Sequence, residues 1–227
     1  MSQALHIISS MATRQVLTDL IADYQKTSGV EVRLESVGGV DAAKRVQADE
    51  PFDGVILGSD ALDKLIAAGK VAGRTDLVNS PVAVAVKAGA PVPDLGSEDA
   101  VRRAVLGART LSYSTGPSGV ALAKLFERWG VMDEIKARIV TPPPGIPVGS
   151  LVAKGEVELG FQQLSELINL PGITLAGNLP DDIAIVTTFS GGVDATSKHA
   201  DAVRALLAYL ASPAATDAKR RQGMEPA

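Results

Sequence analysis

The chain opens on a short apolar run, Leu5 to Ile8, followed by Ser9-Ser10. From about Ala12 to Thr27, Val16, Leu17, Leu20, Ile21 and Tyr24 recur at helical spacing, and Ser28-Gly29 closes the segment. Val30 to Ser36 alternates apolar and charged residues as a strand does, and Gly38-Gly39 leads from it into a helix that starts at Val40 or Asp41 and runs to about Ala48. Asp53 to Leu57 reads as a third strand, and Asp60 to Ala68 as a helix closed by Gly69. Strand, loop and helix thus follow one another three times, the order of an open sheet covered by helices.

The second half continues the alternation. Ser80 to Lys87 is nearly all Val and Ala, which suits a strand buried on both faces. Helix is expected over Ser97–Leu106, strand over Thr110–Tyr113, and helix again from Val120 to about Trp129 after the loop Ser114-Thr115-Gly116-Pro117-Ser118-Gly119. Pro142-Pro143-Pro144-Gly145 forces an extended turn, because each proline fixes φ and removes a donor. Gly149-Ser150 opens a further helix that Gly155 ends, and Val157 to Phe161 is a strand with Gln162-Gln163-Leu164-Ser165 directly beyond it. Ile183 to Phe189 reads as a strand, Gly191-Gly192 as a turn and Asp201 to Ala211 as a long helix. The polar tail from Lys219 to Ala227 is expected to pack back as an extended piece or to fray, with Lys219-Arg220-Arg221 as surface charge.

Composition narrows the chemistry. With 227 residues, 46 % apolar and only 4 % aromatic, the chain can build one large domain or two lobes with cores of Val, Ile, Leu and Ala. A formal charge of −4, spread along the chain, leaves no basic stripe for nucleic acid. Cysteine is absent and the two histidines, His6 and His199, are remote in sequence, so neither a thiolate site nor a zinc centre is expected and no cofactor is called for. No apolar run approaches the roughly 20 residues of a membrane span, and the N-terminus lacks the basic start and cleavage site of a secretory signal. The expected location is the cytoplasm, or the periplasm if a leader has been removed.

The informative pattern is where small and hydroxyl residues fall. Ser9-Ser10, Gly38-Gly39, Ser114 to Gly119 and Gly149-Ser150 all lie where strands feed helices. In an open α/β sheet those loops line the edge outside the carboxyl ends of the strands, where ligands bind. Each also starts a helix, whose unpaired N–H groups attract anions. Taken singly, each loop reads as ordinary capping and turn chemistry. Together, drawn from both halves of the chain, they read as a cleft for one small anion held by neutral donors.

These residues carry a resemblance. Ser9-Ser10-Met11-Ala12 resembles the first anion-binding loop of the periplasmic molybdate-binding proteins. Pro51-Phe52-Asp53 with Gly58-Ser59-Asp60, Pro117-Ser118-Gly119, and Leu159-Gly160-Phe161-Gln162-Gln163 are similar, in order, to later stretches of that family. The resemblance implies a type II periplasmic-binding-protein fold: two Rossmann-like lobes, residues 1–80 with 190–227 and residues 81–189, joined by crossovers near Ser80–Val84 and Val186–Ser190. It also implies that Ser10 donates from hydroxyl and amide, and that Ser118 and Gly149 or Val148 donate from backbone N–H. Gly38-Gly39-Val40 stands where the family has a serine cluster, and Gln163 where it has a ligand-contacting tyrosine. These departures point away from molybdate, and from delivery to an ABC transporter, towards an organic polycarboxylate.

The expected ligand set is therefore Ser9, Ser10, Arg14, Gly38, Gly39, Ser114, Thr115, Ser118, Gly119, Val148, Gly149 and Gln163, with no metal. Arg14, one turn into the first helix, could pair bidentately with a carboxylate or be a solvated helix arginine. The hydroxyls of Tyr113, Ser114 and Thr115 suit an organic acid, while Gln162 and Gln163 cannot titrate and would bind or orient. His6 reads as a core or edge histidine, Asp60 as a helix cap and Asp53 as a strand-entry residue. The expected partner is a small carboxylate or oxyanion, with no nucleic acid and no membrane. The first functional reading is capture of that anion without chemistry. The alternative is an isomerase on the same fold, of the kind the bacterial aconitate isomerases represent, which shifts a double bond in a small unsaturated polycarboxylate. A cytosolic sensor is a third. For the isomerase, no catalytic base is identifiable from the residues.

Overall fold

A computed structural model describes residues 4–143 and 145–227. Pro144, in the expected proline turn, lies outside the described residues, while Gly145 beside it has the positive φ of 76° that a turn glycine supplies.

The chain divides into two compact units, one running to Ser80 and taking in Thr188–Ala227, the other Pro81–Thr187. In the first, β1 (Leu5–Ser10) passes through a short 3₁₀ turn into α1 (Arg14–Ser28), followed by β2 (Val32–Val37), α2 (Gly39–Gln47), β3 (Gly54–Gly58) and α3 (Ser59–Ala67). The long β4 (Val71–Lys87) carries the chain onward. The second unit holds α4 (Glu98–Gly107), β5 (Leu111–Tyr113), α5 (Pro117–Arg128), α6 (Met132–Ile135), α7 (Val148–Lys154), β6 (Leu159–Gln163), α8 (Leu164–Leu167) and β7 (Ile173–Asn178). The strand β8 (Val186–Asp194) returns to the first unit, completed by α9 (Ala200–Ala211), α10 (Thr216–Arg221) and β9 (Glu225–Pro226).

Both units are mixed α/β layers. In the first, β1 pairs in parallel with β2 and β3, and β8 runs antiparallel beside β3. In the second, β5 and β6 are parallel, and the latter half of β4 lies antiparallel between β6 and β7. The period of two in each strand sends alternate side chains to opposite faces. Leu5 and Ile7 join the cluster under α1 and α9, whereas Ile8 joins Ala42, Val46 and Leu62 on the other face. Val82, Val84 and Val86 pack with Phe126 and Phe161, and Ala83 and Ala85 with Val148 and Val152. Both sheets are thus covered on both faces, which is why the central strands read as continuous apolar runs.

Several expectations change. β4 begins at Val71, not near Ser80; its first stretch contains Gly73, Arg74 and Asp76, and no strand period shows there. Gly191-Gly192 is not a turn but the middle of β8, where added Cβ atoms would meet Leu207 Cδ2 at 2.4 Å, and Val71 Cγ1 at 2.4 Å with the Gly73 carbonyl at 2.6 Å. Glycine is there for close packing of neighbouring layers. Gln162 and Gln163 do not lie beyond a strand but form the buried end of β6. Of the two expectations for the tail, packing back as an extended piece is the one found, since β9 pairs with Val78 and Asn79, but Lys219 on α10 is buried, not surface charge. Among the described residues no helix is long and apolar enough to cross a membrane.

Candidate functional site

In the first unit the carboxyl ends of β1, β2 and β3 form one edge. The parallel register sets Ser10 opposite Val37, and Gly38 and Gly39 follow directly. A Cβ on Gly39 would lie 3.4 Å from Ser10 Oγ, so the two loops touch. Ser10 precedes the 3₁₀ turn with extended backbone, and its carbonyl accepts the Thr13 hydroxyl at 2.9 Å. Its own hydroxyl caps no helix amide. Ser9 points into the sheet, where its hydroxyl meets Ser36 Oγ at 2.7 Å and is already used. That follows from the period of two: adjacent serines at a strand end cannot both face the same way. Arg14 is exposed on α1.

The same edge carries hydroxyl chemistry that the loop pattern did not reveal. Gly58, not Asp60, precedes α3, and Ser59 Oγ lies 2.6 Å from Ser190 Oγ. Ser190 donates onward to Asp76 Oδ1 at 2.6 Å, and Thr188 donates to Asn79 Oδ1 at 2.7 Å. The Arg74 guanidinium, then the Ser190 hydroxyl, hold the Asp76 carboxyl below its usual range. No local signal marks these residues; strand pairing across more than a hundred positions brings Ser59 to Ser190.

In the second unit, Gly116 precedes α5 and Pro117 opens it, as a residue with no N–H can. The amides of Ser118 and Gly119 fall in the first turn, where a helix supplies no acceptor. Ser118 is buried, with its hydroxyl 3.0 Å from that of Ser114, and Thr115 is exposed at the loop tip. Gly119 admits no other residue: a Cβ there would stand 1.6 Å from the Ser114 carbonyl oxygen. Ser114, Ser118 and Gly119 therefore form one tight cradle.

The start of α7 differs from the expectation. The Val148 side chain belongs to the core. The Gly149 N–H, expected to face a ligand, donates to Gln162 Oε1 at 2.9 Å. Gln162 in turn donates from Nε2 to Glu166 Oε1 at 2.9 Å. Gln163, pointing oppositely, donates to Thr187 Oγ1 at 2.8 Å, and its Oε1 is buried with no partner. Since the Thr187 hydroxyl can donate or accept, either end of the amide satisfies it, and the other end is left for an incoming group. Glu166 escaped notice in the sequence as one acid in a mixed stretch. Burial pushes its carboxyl up to about 7, with the Gln162 hydrogen bond opposing.

The remaining titratable candidates lie elsewhere. His6 sits at 3.3 Å from Glu35 Oε2 and against the Phe52 ring. Asp53 accepts from the His6 N–H at 2.9 Å and from Ser197 Oγ at 2.7 Å, tying two loops at the opposite end of β1. Among the described residues no group of three His, Asp or Glu could hold a metal ion.

Residues 5–225 match the family model described as bacterial extracellular solute-binding protein. An aconitate isomerase from a Pseudomonas species is 40 % identical, over 98 % of this chain and 87 % of its own length. Among solved structures, the periplasmic molybdate-binding protein of Azotobacter vinelandii superposes with a TM-score of 0.80 at 19 % identity, covering 97 % of this chain and 98 % of that one. The sulfate-binding protein SubI of Mycobacterium tuberculosis superposes at 0.79 with 16 % identity, covering 99 % and 87 %. At those identities the structures speak for the fold, and the type II periplasmic-binding-protein architecture that the loop motifs implied is the one found. By the match along almost its whole length, the chain belongs to the bacterial extracellular solute-binding protein family.

Proposed function

We propose that the protein is an isomerase that moves the double bond of a small unsaturated tricarboxylate of the aconitate class. The observation that carries this reading is the 40 % identity to an aconitate isomerase over 98 % of the chain, about twice the identity to the anion-binding structures. The chemistry of the two loop edges agrees with it. Ser10, Gly38 and Gly39 in one unit, and Ser114, Ser118 and Gly119 in the other, offer amide and hydroxyl donors suited to carboxylate oxygens. Gln163 adds an uncharged amide whose buried end has no partner. Arg14 stands near the first edge as a bidentate partner for a further carboxylate.

A second reading, capture of the same carboxylate without chemistry, is favoured by the solute-binding family description. One experiment separates the two. The purified protein is mixed with trans-aconitate in deuterated water and followed by proton NMR, alongside a thermal-shift series with trans-aconitate, cis-aconitate, citrate, molybdate and sulfate. Interconversion of the aconitates with stabilisation by them is expected. Stabilisation without interconversion or deuterium uptake would leave only capture, and stabilisation by molybdate or sulfate alone would sink both readings. In Ser118→Trp the aconitate shift is expected to vanish while the melt of the free protein stays cooperative, because the indole fills the cradle in front of the α5 amides.

A further inference from the structure

An allylic isomerisation needs one group that takes a proton from the methylene carbon and delivers a proton to the far vinylic carbon. The electron pair of the broken C–H bond becomes the new double bond, and the old double-bond pair takes up a proton from that group, which exchanges with solvent while it holds it. The step balances without oxidant, reductant or metal. What it demands is a single carboxyl, imidazole or amine able to hold and release a proton near neutral pH.

We propose that Glu166 is that proton carrier, aimed by Gln162, which is itself fixed by the Gly149 amide. The inference rests on the isomerase reading above and names the group that reading lacks. Glu166 lies in the first turn of α8, three residues beyond Gln163, at the carboxyl end of β6. The orientation of the Gln162 amide follows from chemistry: the Gly149 N–H can only donate, so Oε1 faces it and Nε2 faces Glu166. That bond occupies Oε1 of Glu166 and leaves Oε2 without a protein partner among the described residues. The glycine is needed for this chain, since a Cβ at 149 would meet Leu170 and Leu167 at 2.6 and 2.8 Å and push α7 off Gln162.

The electrostatics agree with the geometry. Burial raises the Glu166 carboxyl to about 7, so it is divided between base and acid forms at neutral pH. Among the described residues no ion pair sets this value. The strands packed against α8, β6 and β7, carry no charged residue, and the single charge on α7, Lys154, lies at its far end. Two other titratable groups are placed differently. Asp76 is held in its ionised form by Arg74, and His6 faces Glu35 at the other side of the first unit. The serine chain Ser59–Ser190–Asp76 ends on that same lowered carboxyl.

The test compares the full-length wild type with Glu166→Gln and Glu166→Asp. Gln keeps an oxygen for Gln162 but cannot carry the proton. Expected for E166Q is a loss of kcat of about 10²–10⁴-fold, no deuterium uptake into aconitate, and an unchanged thermal shift by trans-aconitate. E166D is expected to retain part of the activity, and the wild-type rate to fall as pH drops through about 7. An E166Q protein that isomerises at a near wild-type rate, or one that loses the aconitate shift together with activity, overturns the assignment. If E166Q does not fold, an E166D rate with the same acid limb supports it, and a rate equal to wild type with no acid limb overturns it. A wild type that neither isomerises nor exchanges protons sinks the isomerase reading itself, a result distinguishable from an active E166Q.

Discussion

Gly119→Ala should destabilise the protein by about 3 kcal/mol, a melting-temperature loss of about 10 °C for a chain of this size, and abolish the aconitate shift. The reason is a backbone collision that no rotamer relieves. The new Cβ would stand 1.6 Å from the Ser114 carbonyl oxygen and 2.7 Å from its carbon, far inside van der Waals contact. Either the first turn of α5 unwinds or the Ser114 loop is driven away. Both displace the Ser118 amide and the Ser114–Ser118 hydroxyl pair. Gly116, three residues earlier, is the control. A Cβ there meets nothing within 4 Å, and its φ of −85° is ordinary. Gly116→Ala is expected to stay within about 1 kcal/mol of wild type, the small loss of a less suitable cap. Equal melts for the two variants would mean that the Ser114 carbonyl does not rest on α5.

Lys219→Met should have the opposite sign, stabilising the protein by about 1–2 kcal/mol near pH 7, because an ammonium with no acidic partner among the described residues is taken out of an apolar setting. Lys219 is 1 % exposed and borders a cavity of about 10 Å³ with Leu17, Leu20, Ile56, Leu77, Leu210 and Thr13. Such a space is at the lower limit for one water. No carboxylate lines it, and Met preserves the apolar stem that the site packs around. Burial depresses the Lys219 ammonium pKa in the folded state. Between that depressed value and the ordinary lysine range near 10.4, the unfolded chain binds more protons than the folded one. Wild-type stability therefore rises with pH across this window, and the penalty is fully present below it. Urea melts at neutral and alkaline pH should show that rise in the wild type and its absence in Lys219→Met. A Lys219→Met protein less stable at both pH values would show that the amine has a stabilising partner.

The two variants mark different degrees of legibility. The Ser114–Gly119 loop was readable because its signals are local: a strand end, a proline at the first helical position, and glycine beside serine. Lys219 was not, because a basic triplet near the end of a chain looks solvated. Only the pairing of β9 with Val78 and Asn79 folds that segment over the first core. Gly191-Gly192 misled for a related reason. In sequence a glycine pair punctuates, whereas in β8 it makes room for Leu207 and Val71.

The site divides in the same way. Serine and glycine after β1, β2 and β5 disclosed the donor-rich loop edges, since helix starts advertise themselves through caps and turns. The partners that give those edges their chemistry were hidden. Ser59 finds Ser190, Gln163 finds Thr187, and Gly149 finds Gln162 and through it Glu166. In each case the side-chain direction depends on strand register and on which neighbour already takes the hydrogen bond.

By itself, then, the order of apolar periods and helix-start residues determined an α/β chain with donor-rich loops at its strand ends, because both are set within a few residues by backbone geometry. Which glutamine turns inward, which lysine is buried and which carboxyl is lifted towards neutrality were decided only by tertiary structure. Burial and pairing are properties of residues brought together from distant parts of the chain, and no local pattern encodes them.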